Sequence, residues 1–143
     1  MQQSSDVARA VQDFYERMSA GDVDGAAATL SADPDTFSIG TQRIGAGRDE
    51  WVESVRANAA MGVRWEPGAL RAWAAGDAGF AVDETTAVLP DDTRLTMRMT
   101  AFLVREGDGA FRIVNMHFSW AVPDEVALPQ AGAWREQLGL VAA

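Results

Sequence analysis

The sequence predicts an α+β domain in which helices pack on one strongly curved antiparallel sheet. Segments of helical period lie before Gly62, whereas segments of period two run from Val63 to Pro123. Compact turn signals at Gly76-Asp77, Pro90-Asp91-Asp92 and Gly107-Asp108 separate the period-two segments, so that neighbours run antiparallel. Pro67-Gly68 interrupts what is otherwise one long strand. Proline lacks the ladder donor and glycine permits a bulge, so the sheet is expected to bend there.

Each element follows from its own pattern. Ser4-Ser5-Asp6 offers N-caps to a first helix, with Val7, Val11, Phe14, Tyr15 and Met18 on one stripe and Gly21 as its stop. Asp22 caps a second, short helix through Ala26, Ala27 and Leu30, which Pro34 ends. A short strand from Asp35 to Gly40 carries Phe37 and Ile39 on one side, and Gly40 to Gly47 is a turn-rich loop. Asp49 and Glu50 open a third helix, where the helix dipole favours acids; Trp51, Val52, Val55 and Ala59 form its buried stripe. Val63–Trp65 with Ala69–Ala75, then Phe80–Leu89, Thr93–Arg105 and a strand ending near Pro123 supply the sheet. Gln130–Leu140 reads as a last helix with Trp134, Leu138 and Val141 aligned. The chain reads as a single domain over 1–143, with 124–143 as a C-terminal helical tail.

Composition narrows the function. A chain of 143 residues, 48% hydrophobic and 23% charged, can bury a sizeable core. Its net charge of −9 repels phosphate backbones, so no nucleic-acid partner is expected. Every basic residue is arginine, which with abundant alanine and glycine suggests a GC-rich bacterial genome. Without cysteine there is no thiol nucleophile and no thiolate metal site, and a lone histidine argues against metal binding; no cofactor is expected. No leader-like start or apolar run of membrane length is evident, so the expected location is the cytoplasm, away from membranes.

The stretch Thr93 to Pro123 carries the candidate site. With Gly107 and Asp108 as a two-residue loop, Val104 faces Phe111, Phe102 faces Ile113, Thr100 faces Asn115, Arg98 faces His117 and Thr96 faces Ser119. The three-residue loop at Pro90 puts Glu84 opposite Arg98; a loop one residue shorter would replace Glu84 by Asp83 or Thr85. On these registers Glu84, Arg98 and His117 form a row on the concave, helix-covered face, with Asn115, Ser119 and Thr100 in reach. A neutral His117 could serve as general base, Arg98 could stabilise an oxyanion, and Glu84 could orient Arg98. The same groups could equally pair with one another only to escape the cost of burial. Phe14 and Trp51 are expected to close the apolar side, Trp65 to wall the pocket, and Trp134 to cover its mouth. The expected ligand is small and hydrophobic or aromatic. The opposite face, with Leu95, Met97, Met99, Val114, Met116, Phe118 and Trp120, is expected to bury itself in a homodimer formed sheet to sheet.

The segments AVQDFYERMSAGDVDGAAATLSAD, GAGRDEWVESVRANA, AAGDAGFAVDE and GAFRIVNMHFSWAVP together resemble a SnoaL-like protein of the nuclear-transport-factor-2-like superfamily. The resemblance implies a cone-shaped fold, a pocket between helices and sheet, and usually a dimer. The superfamily includes ketosteroid isomerases, dehydratases, epoxide hydrolases, polyketide cyclases and non-catalytic members. The His-Phe-Ser strand also resembles the association domain of calcium/calmodulin-dependent protein kinase type II, a self-assembly module. Departures matter. The tyrosine that ketosteroid isomerases carry on the first helix corresponds to Phe14, and Thr36-Phe37-Ser38-Ile39 lacks their carboxylate base. Glu84 and Arg98 resemble half of the Asp-Arg-Asp arrangement of epoxide hydrolases. Two classes stay open: a cofactor-independent isomerase, cyclase, dehydratase or hydrolase acting on an apolar oxygenated metabolite, or a non-catalytic ligand-binding or self-association domain.

Overall fold

The structure, a computed structural model, describes residues 1–40 and 46–137, with 46 and 131–137 as backbone only. A short strand β1 (Gln2–Gln3) precedes helix α1 (Ser5–Ser19), whose N-cap Ser4 accepts the Val7 amide through its hydroxyl. Helix α1 buries Val7, Val11, Phe14, Tyr15 and Met18, the stripe its spacing predicts. Gly21, at φ +71°, takes the left-handed position that ends the helix. Asp22 then caps the short helix α2 (Val23–Ala28) by accepting the Gly25 amide. Strands β2 (Phe37–Ile39) and β3 (Ala46–Gly47) lead into α3 (Arg48–Ala60), which buries Trp51 and Val55.

The sheet follows as β4 (Arg64–Glu66), β5 (Arg71–Ala75), β6 (Ala78–Val88), β7 (Arg94–Arg105) and β8 (Phe111–Trp120). The strand order is β1-β5-β6-β7-β8-β2-β3, and β4 pairs with β6 alongside β5. Among the described strands all pairings are antiparallel except that of β2 with β8, so the sheet is mixed rather than wholly antiparallel. Strands β4 and β5 both pair with β6 but in registers one residue apart: Arg64 faces Val88, whereas Arg71 faces Val82. The slip falls at the expected bend. There a Cβ on Gly68 would stand 2.1 Å from the Glu84 carbonyl oxygen, so only glycine fits. The result is the cone-shaped α+β fold, with α1 packed on β4, β5, β6 and β8.

The last helix, α4 (Asp124–Gln137), starts six residues before the expected Gln130 and contains Pro129. The Pro123 carbonyl accepts the amides of Val126 and Ala127, which nucleates the first turn at once. Leu138 and Val141 of the expected stripe lie outside the described residues, as does most of the Gly40–Gly47 loop. No helix among the described residues is long and apolar enough to cross a membrane.

The register of β7 on β8 corrects the sequence reading. Glu106 and Ala110 close the hairpin around a three-residue loop, with Gly109 at φ +82°. A bulge then leaves Val114 without an opposite residue: Leu103 faces Ile113, but Phe102 faces Asn115. The bulge lies where the neighbour of β8 changes. The 29–31 segment bonds Ile113 on both sides, and β2 takes over from Asn115. Together the two slips set His117 opposite Thr100 and Arg98 opposite Ser119, so Arg98 and His117 are not partners.

The faces are also reversed. Met97, Met99, Ala101 and Leu103 of β7 turn towards the helices and are buried, with Phe111, Ile113 and Met116 of β8. The bulge explains how Ile113 and Met116, of opposite parity, share that face. Leu95, Met97, Met99, Met116, Phe118 and Trp120 therefore belong to the core and the cone mouth, and are not available for a sheet-to-sheet contact. Burying each such side chain stabilises the fold by ~1.5–3 kcal/mol, whereas burying a guanidinium would cost desolvation. That difference decides which row faces inward.

Candidate functional site

At the mouth of the cone, α1 and α3 stand over the open ends of β4, β6, β7 and β8, and a cavity of about 250 Å³ lies between them. Its walls are mostly apolar. Phe14 and Met18 come from α1, Trp51 and Val55 from α3, Val63 and Trp65 from the start of the sheet, and Met97, Phe118 and Trp120 from its centre. The polar groups on the wall are few: Ser38 on β2, and Ser54 and Asn58 on α3. Asn58 donates its side-chain amide to the Ser54 carbonyl at 2.8 Å. This combination of apolar walls and a few polar groups is usual for small-molecule sites.

The aromatic walls are braced. The Phe14 and Trp51 rings meet edge to face at 5.9 Å, and Trp65 lies 5.2 Å from Phe118 on one side and 6.3 Å from Tyr15 on the other. The backbone of Trp65 is fixed by Ser19, whose hydroxyl accepts the Trp65 amide at 2.7 Å and donates to its carbonyl at 3.2 Å.

Phe14, Trp51 and Trp65 thus stand together on the cavity wall, as the sequence suggests. Glu84, Arg98, Thr100, Asn115, His117 and Ser119 do not reach it; by strand alternation they lie on the outer face of the sheet. Glu84 is opposite Arg98, in the expected register, but both are exposed and no ion pair joins them. His117 is half-buried between Thr100 and Ile39, and Asn115 donates to the Phe37 carbonyl at 3.2 Å. Trp134 belongs to the backbone-only part of α4. Among the described residues no carboxylate or imidazole lines the cavity, and no cluster of acidic and histidine side chains forms a metal-binding group.

The inward row of β6 holds polar groups that the sequence reading kept only as the alternative to Glu84. Asp83 and Thr85 face the helices and are buried. Both Asp83 oxygens accept the Gly68 amide, at 3.1 and 3.2 Å, and Thr85 donates its hydroxyl to the Glu66 carbonyl at 2.9 Å. Burial pushes the Asp83 carboxyl above its ordinary range, against the opposing pull of the Gly68 and Glu84 amides. Burial likewise raises the Tyr15 phenol, the Asp83 charge adds to the effect, and the nearby Thr85 hydroxyl opposes it. The signal was available: once Met97 and Met99 face inward, their partners Thr85 and Asp83 must as well.

A family model described as a SnoaL-like domain matches residues 7–124. No curated protein matches the chain. Among solved structures, an NTF2-like protein of unknown function from Pseudomonas putida KT2440 is similar at TM-score 0.70 and 20% identity, over 80% of this chain and 84% of that one. A provisionally assigned dehydratase of the NTF2-like family from Streptomyces avermitilis is similar at TM-score 0.71 and 16% identity, over 82% and 94% of the two chains. A ketosteroid isomerase-like protein from Erwinia carotovora atroseptica is similar at TM-score 0.65 and 17% identity, over 82% and 95%. At these identities the likeness is one of fold.

Proposed function

The chain belongs to the SnoaL-like domain family, and from that premise we propose that it binds a small, ring-bearing, mainly apolar and oxygenated molecule in the cavity at the cone mouth. The observation that carries this reading is the wall itself: among the described residues Phe14, Trp51, Trp65 and Phe118 surround about 250 Å³, with Ser38, Ser54 and Asn58 to orient a polar group. Proton-transfer catalysis needs an acid or base within hydrogen-bond reach of the reacting atom. The described wall supplies neither, so binding is favoured over isomerase, cyclase, dehydratase or hydrolase turnover. The net charge of −9 favours neutral ligands over anionic ones.

The experiment is a fluorescence titration with naphthalene as probe, in the wild type and in Ser54→Trp. Ser54 is exposed at the rim, so a tryptophan there fills the mouth without disturbing the core. Saturable binding that Ser54→Trp weakens at least tenfold supports the reading. No binding, or binding indifferent to Ser54→Trp, overturns it.

Self-association is a second reading with its own support. Trp73, Phe80, Phe102 and Phe37 fall in one row across the outer face, interrupted only by Asn115. Phe37, Phe80 and Phe102 are 37%, 38% and 44% exposed, so the row offers a second copy a set of aligned aromatic side chains to cover. We propose a homodimer through this outer row.

A further inference from the structure

Two buried polar atoms, the Tyr15 hydroxyl and the Trp65 Nε1, make no hydrogen bond within the described structure. Leaving such a group unpaired costs ~1–3 kcal/mol, so orphaned donors on adjacent rings call for an explanation. The two rings are stacked, 6.3 Å apart with planes 6° from parallel, and the Trp65 ring is also a wall of the cavity. Tyr15 itself is 1% exposed. Near it is the buried Asp83 carboxylate, whose charge reaches the phenol and which accepts the Gly68 amide across the bend. The Thr85 hydroxyl lies near the phenol and favours its charged form, but it donates its proton to the Glu66 carbonyl and makes no hydrogen bond of ordinary length to Tyr15.

We propose that Tyr15, Trp65 and Asp83 form a recessed polar subsite behind the Trp65 wall of the cavity, which takes the hydroxyl group of a phenol-like or alcohol ligand. The hydrogen-bond inventory selects this chemistry. Tyr15 and Trp65 offer donors, and Asp83 offers an acceptor. A hydroxyl accepts through its oxygen and donates its proton, and so satisfies all of them. A carbonyl or ether oxygen leaves the carboxylate unused, and a ligand carboxylate is repelled by it. The subsite is reached when the Trp65 ring tilts away from Tyr15; its backbone stays clamped to Ser19 and its indole carries no bond that must be broken. Tyr15 is not the tyrosine of the ketosteroid isomerases, whose position is occupied by Phe14, and the role assigned to Asp83 is recognition rather than proton transfer.

This inference rests on the ligand-binding reading of the cavity, and the probes separate the two. Naphthalene, 2-methoxynaphthalene and 2-naphthol share a ring system and differ in hydrogen bonding. The wild type is expected to bind 2-naphthol roughly tenfold more tightly than the other two, the gain for hydrogen bonding to a charged acceptor. Tyr15→Phe, which removes an orphaned hydroxyl and so keeps or raises Tm, is expected to erase most of that preference while naphthalene binding stays unchanged. Asp83→Asn should do the same. If naphthalene binds and responds to Ser54→Trp but 2-naphthol and 2-methoxynaphthalene bind alike, the subsite is overturned and the cavity reading stands. A preference for 2-naphthol that survives in a folded Tyr15→Phe also overturns it. The comparison between probes in the wild type decides the matter even if a variant does not fold. If no probe binds, both readings fall.

Discussion

The backbone amide of Gly68 donates to both carboxylate oxygens of Asp83, at 3.1 and 3.2 Å, and so ties the bend between β4 and β5 to the middle of β6. The same glycine cannot carry a side chain, because a Cβ would collide with the Glu84 carbonyl. Gly68→Ala therefore forces the bend off the sheet. The expected loss is about 3 kcal/mol, or roughly 10 °C in Tm, measured by a thermal melt followed by circular dichroism. An unchanged Tm would mean that the bend is not held there.

Asp83 also predicts a pH dependence. Burial raises its pKa above the ordinary carboxylate value, so the folded chain holds the proton more tightly than the unfolded one. That contribution is complete below about pH 4 and is lost as pH rises through the raised value. Glu66, Asp91 and Asp108 act in the opposite sense: their pKa values are lowered, and what they contribute is lost as pH falls. They are common to wild type and Asp83→Asn, so the difference between the two proteins isolates Asp83. Asp83→Asn, a neutral near-isostere, is expected to gain Tm relative to wild type as pH increases from 4 towards 7, with the gap closing in acid. A gap of the opposite sign would show that the anion is the better-held form.

The fold was legible because its signals were local. Caps at Ser4 and Asp22, stops at Gly21 and Gly62, and the Pro67-Gly68 bend each act through their own backbone. The cavity's aromatic wall was legible in part, since Phe14 and Trp51 lie on helical stripes that must face the sheet. What failed was non-local. Gly107-Asp108-Gly109 allows a two- or a three-residue loop, and the Val114 bulge depends on where residues 29–31 give way to β2 along the edge of β8. No pattern within β7 or β8 encodes that handover. The polar row of Arg98 and His117 was therefore assigned to the wrong face, while the row of methionines and leucines that fills the core was assigned to an interface.

The face assignment is itself testable. Met99 is 1% exposed and Arg98, its neighbour in sequence, is exposed on the other side. Met99→Ala is expected to cost about 2–5 kcal/mol through the lost contacts and the cavity left behind. Arg98→Ala should stay within about 0.5 kcal/mol. Chemical denaturation of both variants checks this, and a reversed order would put the helices on the other face of the sheet.

The outer aromatic row gives the last prediction. Phe102 sits between Phe80 and Asn115 at the centre of the sheet, with Trp73 stacked on Phe80 at 6.1 Å beyond it. If two copies meet through this row, even ~600 Å² of buried apolar surface contributes a gross ~15 kcal/mol, enough to offset the cost of association. Phe102→Glu places a charge at the middle of that contact but in solvent in the monomer, so it should separate the dimer while leaving the fold intact. The expected result in analytical ultracentrifugation is a dimer for the wild type at micromolar concentration and a monomer for Phe102→Glu, with matching circular dichroism spectra. A monomeric wild type would remove the self-association reading and leave the aromatic row without a partner of its own kind.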